Sequence, residues 1–216
     1  MNPITYLALG DSLTEGVGAS TPDRHLVAQY FEHIRNTDHC RVINMGISGL
    51  TSTELYDLVQ SPGLHKLIPR ASHITLTTGG CDFIKWYEDG DSLIGLARTM
   101  KRVVNQVDQL LSHLRQLNPD ASMGILGFYM PLPAYEMGYT IAARALKTMN
   151  VAYNQLAKRH KSVMIDPFEV FLNRKEYFAD EVHPNQQGYD VLARLLLKSL
   201  IPQNPAPSVQ EDPVYS

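Results

Sequence analysis

A chain of 216 residues, 44% of them hydrophobic, can bury one core without disulfide or metal staples, which excludes a disordered chain or a stapled mini-scaffold. A net charge of −3 without any Lys/Arg block excludes the footprint of a nucleic-acid binder. No apolar run reaches the ~18 residues of a membrane span, and the opening Met1–Ser12 has no basic-then-apolar pattern, so no signal peptide and a cytoplasmic location are expected.

Short apolar runs alternate with longer amphipathic ones. Strands are expected at Ile4–Leu9, Arg41–Met45, Ser72–Thr77, Ser122–Tyr129 and Ser162–Ile165, several followed by Gly, Pro or Asp. Helices are expected at Arg24–Asn36, Ser52–Gln60, Asp91–Leu117, Thr140–His160 and Gln186–Leu200. In the third, Leu93, Leu96, Met100, Val103, Val107, Leu110 and Leu114 recur at spacings of three and four. Asn118-Pro119 stops it, and Asn185 is the expected N-cap of the last helix. Alternating strands and helices predict an α/β, three-layer, flavodoxin-like fold: a five-stranded parallel sheet in order 2-1-3-4-5, helices on both faces. Residues 1–201 are expected to form one domain, and 202–216 a Pro-rich, poorly ordered tail.

On such a sheet, ligands sit beyond the carboxyl ends of the strands. The loops there begin at Gly10, Gly46, Gly79, Met130 and Asp166, and they hold the residues with chemistry. Ser12 follows the first strand between Gly10 and Gly16. A serine there suits a helix cap equally well, and becomes a nucleophile only with a base to take its proton. Asp180-Glu181-Val182-His183 can supply that base. Asp180, three residues before His183, can hold the ring while its other nitrogen faces Ser12; Glu181 has the poorer spacing. Pro184 stiffens the chain just after the histidine.

Gly10-Asp11-Ser12-Leu13 near the start and Asp180-x-x-His183 near the end, with two internal blocks between, resemble the GDSL (SGNH) family of ester hydrolases over about residues 4–200. The resemblance implies the SGNH hydrolase fold, a Ser12 nucleophile, a His183 general base and an Asp180 partner, with no cofactor and no metal. The block Asn44-Met45-Gly46-Ile47-Ser48-Gly49 implies an oxyanion hole built from the N–H groups of Ser12 and Gly46. The third block departs from the pattern. Gly79-Gly80-Cys81-Asp82 has Cys81 where the family has an Asn, and a thiol is a weak donor. Asn44 is a conceivable substitute. Asp11 and Asp82 are expected to organise their loops. The opening block and Gly-Gly-Cys-Asp are most similar to small lipases of spore-forming bacteria, spore germination lipases among them, which adds a spore-associated setting.

The apolar, Pro-stiffened segment 128–139 and Phe83, Trp86 and Tyr87 lie where loops are expected, and suggest a wall for an apolar substrate arm. Phe83, Phe128, Tyr129 and Met130 are the expected contacts. The expected substrate is a small-molecule or lipid ester with an acyl arm, ahead of sugar acetyl esters. A scaffold that lost its chemistry is the alternative that Cys81 raises, and nucleotide binding lacks its G-x-G-x-x-G fingerprint. Cys40 precedes the second strand and Cys81 follows the third, at opposite ends of the sheet, so both are expected to be free thiols.

Overall fold

The computed structural model describes residues 2–136 and 138–201, so the expected tail at 202–216 lies outside the described residues. Five strands, β1 (Thr5–Gly10), β2 (Arg41–Gly46), β3 (His73–Thr77), β4 (Ser122–Leu126) and β5 (Val163–Ile165), pair in parallel in the order β2-β1-β3-β4-β5. Parallel neighbours require crossovers. Helices α1 (Ser12–Glu15) and α2 (Leu26–Ile34) follow β1, and α3 (Ser52–Val59) and α4 (Pro62–Leu67) follow β2. Helices α5 (Gly80–Glu88) and α6 (Leu93–Leu117) follow β3, and α7 (Leu132–Glu136) and α8 (Tyr139–Arg159) follow β4. Helices α9 (Phe168–Phe171) and α10 (Gln186–Leu200) follow β5.

The pleat of β1 explains the three layers, because successive side chains point to opposite faces. Leu7 and Leu9 join a core with Val103, Val107 and Leu110 of α6 and Met149 and Tyr153 of α8. Tyr6 and Ala8 join the other core, with Tyr30 of α2 and Tyr189 and Leu192 of α10. Asn185, the expected cap, accepts the Gly188 N–H before α10, and Ser92 accepts the Gly95 N–H before α6. In register, Gly10 lies opposite both Gly46 and Thr77, so three strands end level and deliver their loops to one edge. Cys40 and Cys81 are free thiols. Among the described residues no helix is long and apolar enough to cross a membrane.

Two differences from the sequence expectation matter. Helix α5 occupies a stretch expected as loop, so Phe83, Trp86 and Tyr87 are carried on a rigid element. Strand β4 stops at Leu126 instead of Tyr129, because Asn150 takes over the backbone of Phe128. The Asn150 Oδ1 accepts the Phe128 N–H at 2.7 Å, and its Nδ2 donates to the Phe128 carbonyl and to Asp166 Oδ1, each at 2.9 Å. Asn150 is buried on α8, and its three bonds turn the chain away from the sheet toward the catalytic edge. Asn150→Ala is expected to cost about 2–3 kcal/mol, since it strands buried polar groups. A chemical-denaturation curve reads that loss.

Candidate active site

Asp11 caps α1 with its side chain, accepting the Leu13 N–H at 3.1 Å. That cap leaves the next residue, Ser12, with its hydroxyl free to turn outward. The same carboxylate oxygen anchors the turn below: Thr77 Oγ1 donates to Asp11 Oδ1 at 2.7 Å and lies 2.8 Å from Thr14 Oγ1. Burial raises the Asp11 carboxyl above its ordinary value, against the pull of these hydrogen bonds.

The loop after α9 delivers the other two groups. Phe178 and Pro184 form an antiparallel bridge, and the Ala179 N–H donates to the His183 carbonyl at 2.9 Å, closing a tight loop around residues 179–183. Within it, Asp180 Oδ1 accepts the N–H groups of Val182 and His183 at 2.8 and 2.7 Å. Its Oδ2 lies 2.7 Å from His183 Nδ1. Burial pushes the Asp180 carboxyl up, but the two backbone donors and the ring outweigh it and hold the group below the usual carboxylate range. His183 Nε2 lies 2.9 Å from Ser12 Oγ, across 171 residues of sequence. The two loops are drawn together by Tyr189 of α10, whose hydroxyl donates to the Val17 carbonyl at 2.7 Å. Gly18, at φ +91°, faces Pro184 at a spot where a Cβ would strike the proline carbonyl.

Ser12, Asp180 and His183 are therefore assembled into one hydrogen-bonded line. Its chemical capacity is to pass the serine proton to the imidazole while the carboxylate holds the ring. Glu181 is not in that line; its carbonyl accepts the Leu132 N–H at 2.9 Å. Among the described residues no group of three or more His, Cys, Asp or Glu side chains could hold a metal ion.

The expected oxyanion donors need correction. The Gly46 N–H is spent on Asn44 Oδ1 at 2.9 Å, and its Cα packs against the backbone of Thr14 and Glu15, where any Cβ would collide. Asn44 Nδ2 is likewise spent, on the Thr14 carbonyl at 2.9 Å. Both residues fasten β2 to α1 and neither faces a substrate. Three residues on, Gly49 adopts φ +81° with open space over its Cα, and its backbone lies near the Cys81 thiol. The Ser12 N–H meets no protein acceptor among the described residues. Gly49 was missed because Gly46 and Gly49 share one short block, and only the turn geometry separates a packing glycine from an open one.

Cys81 sits in the first turn of α5 and lines the same cleft as Ser12. Burial, then the charges of Asp11 and Asp82, push its thiol up to about 12, so it stays an S–H donor. Asp82 behaves as expected of a loop organiser. Its carboxylate accepts the Ser52 N–H at 2.8 Å and Ser52 hydroxyl at 3.0 Å, tying α5 to the start of α3.

The cleft has a volume of about 640 Å³. Ser12, Cys81 and His183 line it, and two helices wall it: α5 with Phe83, Ile84 and Tyr87, and α8 with Ile141, Ala142 and Ala145. Phe83, Phe128 and Tyr129 line it as expected. Tyr129 also steadies the histidine loop, donating its hydroxyl to the Val182 carbonyl at 2.7 Å. Met130 is the exception. It is fully buried with Ala134, Ala142, Ala143 and Phe168 beneath α7, so it is core and not a contact. The chain rotates after Tyr129, and the next side chain points inward.

Comparison with known proteins agrees with this geometry. The model of the GDSL-like Lipase/Acylhydrolase family matches residues 8–191. The spore germination lipase LipC of Bacillus licheniformis is 27% identical over 205 residues, covering 89% of this chain and 94% of that one. The lipase Lip_vut3 from a goat rumen metagenome superposes with a TM-score of 0.78 at 26% identity, over 90% of this chain and 96% of that one. Phospholipase A1 from Streptomyces albidoflavus has the same fold, with a TM-score of 0.71 at 18% identity over 91% and 99% of the two chains. The chain belongs to the GDSL-like lipase/acylhydrolase family and is a serine ester hydrolase.

Proposed function

We propose that the chain hydrolyses acyl esters through a covalent intermediate on Ser12. The observation that carries the reading is the continuous line from Asp180 Oδ2 to His183 Nδ1 at 2.7 Å and from His183 Nε2 to Ser12 Oγ at 2.9 Å. Ser12 Oγ attacks the ester carbonyl carbon as its proton passes to His183 Nε2. The carbonyl oxygen becomes an oxyanion, and His183 then returns the proton to the departing alcohol as the C–O bond breaks. Water repeats the sequence on the acyl-Ser12 ester, releasing the acid. Asp180 keeps the ring in the required tautomer and offsets the charge on the imidazolium.

The oxyanion donors are the N–H groups of Ser12 and Gly49, with the Cys81 S–H as a weak third. Gly49, open over its Cα near the thiol, and Cys81 beside Ser12 in the cleft support this set. A thiol gives up little of what an amide donor gives, whereas loss of a full donor costs roughly 10²–10³ in rate. Cys81→Ala is therefore expected to lower kcat less than tenfold. A loss near 10³ would mean that the thiol does the work of the amide.

The substrate is an ester with an apolar acyl arm, a lipase or lysophospholipase type of substrate. The apolar walls from α5 and α8 support that class over sugar acetyl esters, as do the names of the lipases to which the chain is similar. The 27% likeness to a spore germination lipase supports a spore-associated setting. A fluorophosphonate probe tests the whole reading. It should label the protein once, at Ser12, and block turnover of p-nitrophenyl esters; no label at Ser12 refutes it.

A further inference from the structure

Nearly every N–H in the turn from β2 to α3 is already committed. The Gly46 N–H donates to Asn44 Oδ1 and the Ile47 N–H to the Gly10 carbonyl, each at 2.9 Å. The Ser48 N–H donates to Glu15 Oε2 at 2.7 Å, and the Leu50 N–H to the Ile47 carbonyl at 3.2 Å. The Thr51 N–H donates to Glu54 Oε2 at 2.9 Å. Among the described residues, the Gly49 N–H alone in this run donates to no oxygen.

Burial does not hold the middle of the turn, because Ile47, Ser48 and Gly49 are all exposed. Gly49, at φ +81° with open space over its Cα, has no side-chain packing to fix the direction of its N–H. Residues 47–49 are fastened from outside the turn by two acceptors, the Gly10 carbonyl and the Glu15 carboxylate. Glu15 makes the stronger tie. Its Oε2 accepts both the N–H and the hydroxyl of Ser48, and a charged acceptor gives the stronger hydrogen bond. Both acceptors flank Ser12: Gly10 ends β1, and Glu15 closes α1, the helix that begins at Ser12. The segment that carries the nucleophile thus also fastens the turn that carries Gly49.

We infer that Glu15 is a positioning residue for the oxyanion hole: through Ser48 it holds the Gly49 N–H in place relative to the Ser12 N–H and Oγ. The inference rests on the reading of Ser12 and Gly49 as oxyanion donors. Neither Glu15 nor Ser48 lines the cleft, so Glu15 acts without touching the substrate. A turn without this staple keeps its Gly49 N–H but lets it swing, and a misplaced group of this kind costs up to about 10² in rate. The staple needs an acceptor oxygen and not a charge. The side-chain carbonyl of a glutamine can accept the same two bonds.

The test compares Glu15→Ala, Glu15→Gln and Ser48→Ala of the full chain on p-nitrophenyl butyrate and on its thionoester, in which sulfur replaces the carbonyl oxygen. Sulfur is a weak acceptor, so the ratio of the two kcat values reports how well the oxyanion donors are aimed. Glu15→Ala should lower kcat on the ester by about 10- to 100-fold with KM within about threefold, and should lower the thionoester rate by less than about threefold. Glu15→Gln should stay within about threefold of the parent protein on both substrates. Ser48→Ala keeps the backbone half of the staple and should fall between the two, which leaves a reading if Glu15→Ala does not fold. An ester kcat in Glu15→Ala within threefold of the parent overturns the inference. So does an equal loss on ester and thionoester, which marks general damage, or a Glu15→Gln loss as large as that of Glu15→Ala, which marks a role for the charge. Failure of the oxyanion reading shows in the parent protein alone, as an ester-to-thionoester ratio no larger than that of uncatalysed hydrolysis.

Discussion

Ser12→Ala is expected to lower kcat on p-nitrophenyl butyrate by about 10⁴-fold or more, the scale seen when a triad nucleophile is removed. The physical reason is that alanine leaves no atom to accept the acyl group. The N–H donors and the cleft survive, so some catalysis over water and nearly all binding should remain. The fold should be indifferent. Asp11, not Ser12, caps α1, and the Ser12 hydroxyl bonds only His183 at 2.9 Å. Unfolding free energy should therefore change by no more than about 1 kcal/mol. A rate within tenfold of the parent, in a variant with an unchanged denaturation curve, would remove Ser12 from the chemistry.

The next largest loss is expected from Asp180→Asn. An amide in place of the carboxylate keeps an Oδ1 able to accept the Val182 and His183 N–H groups, so the loop is retained. What changes is the ring partner. The carboxylate at 2.7 Å from Nδ1 favours the tautomer with the proton on Nδ1, whereas an amide can present its NH2 and favour the opposite one. Such a swap at a buried triad acid costs about 10⁴ in kcat. Asp180 is 52% exposed, so water screens part of its charge and a loss of about 10³ is expected. Glu181→Gln is the control and should stay within about threefold, because only the Glu181 backbone carbonyl is engaged. Equal losses in the two variants would overturn the assignment. The Asp180 carboxyl is held below the ordinary value, so its contribution to stability is fully present above that value and lost as pH falls through the lower, folded-state one. Relative to Asp180→Asn, the stability of the parent protein should thus be level at neutral pH and decline only in strong acid, which denaturation at a series of pH values measures.

Much of this was legible before any coordinates. The period of three and four in Leu93–Leu117 marks α6, and Asn185 marks the start of α10, because caps and amphipathic faces are local properties of a segment. Three further helices were not legible. Helices α1 and α7 span four and five residues, too few turns for a periodic signal to separate them from loops, and α5 opens on Gly79-Gly80, which reads as a turn. The early end of β4 was hidden for another reason. Asn150, 22 residues away from Phe128, claims its backbone, and a tertiary hydrogen bond of that reach has no sequence signature.

The sequence by itself pointed to the sheet order and singled out Ser12, Asp180 and His183, since strand–helix alternation and the Asp-x-x-His turn are patterns read along the chain. Only the tertiary structure decided which N–H groups remain free for an oxyanion. Gly46 and Asn44 look like donors in the sequence, yet the Gly46 N–H is consumed by Asn44 on its own strand and the Asn44 amide by the Thr14 carbonyl of α1, while Gly49 stays open near Cys81. It likewise decided that Met130 turns inward while Tyr129 faces the cleft. Hydrogen-bonding capacity is written in the residue type, but whether it is already spent depends on what the fold packs against it.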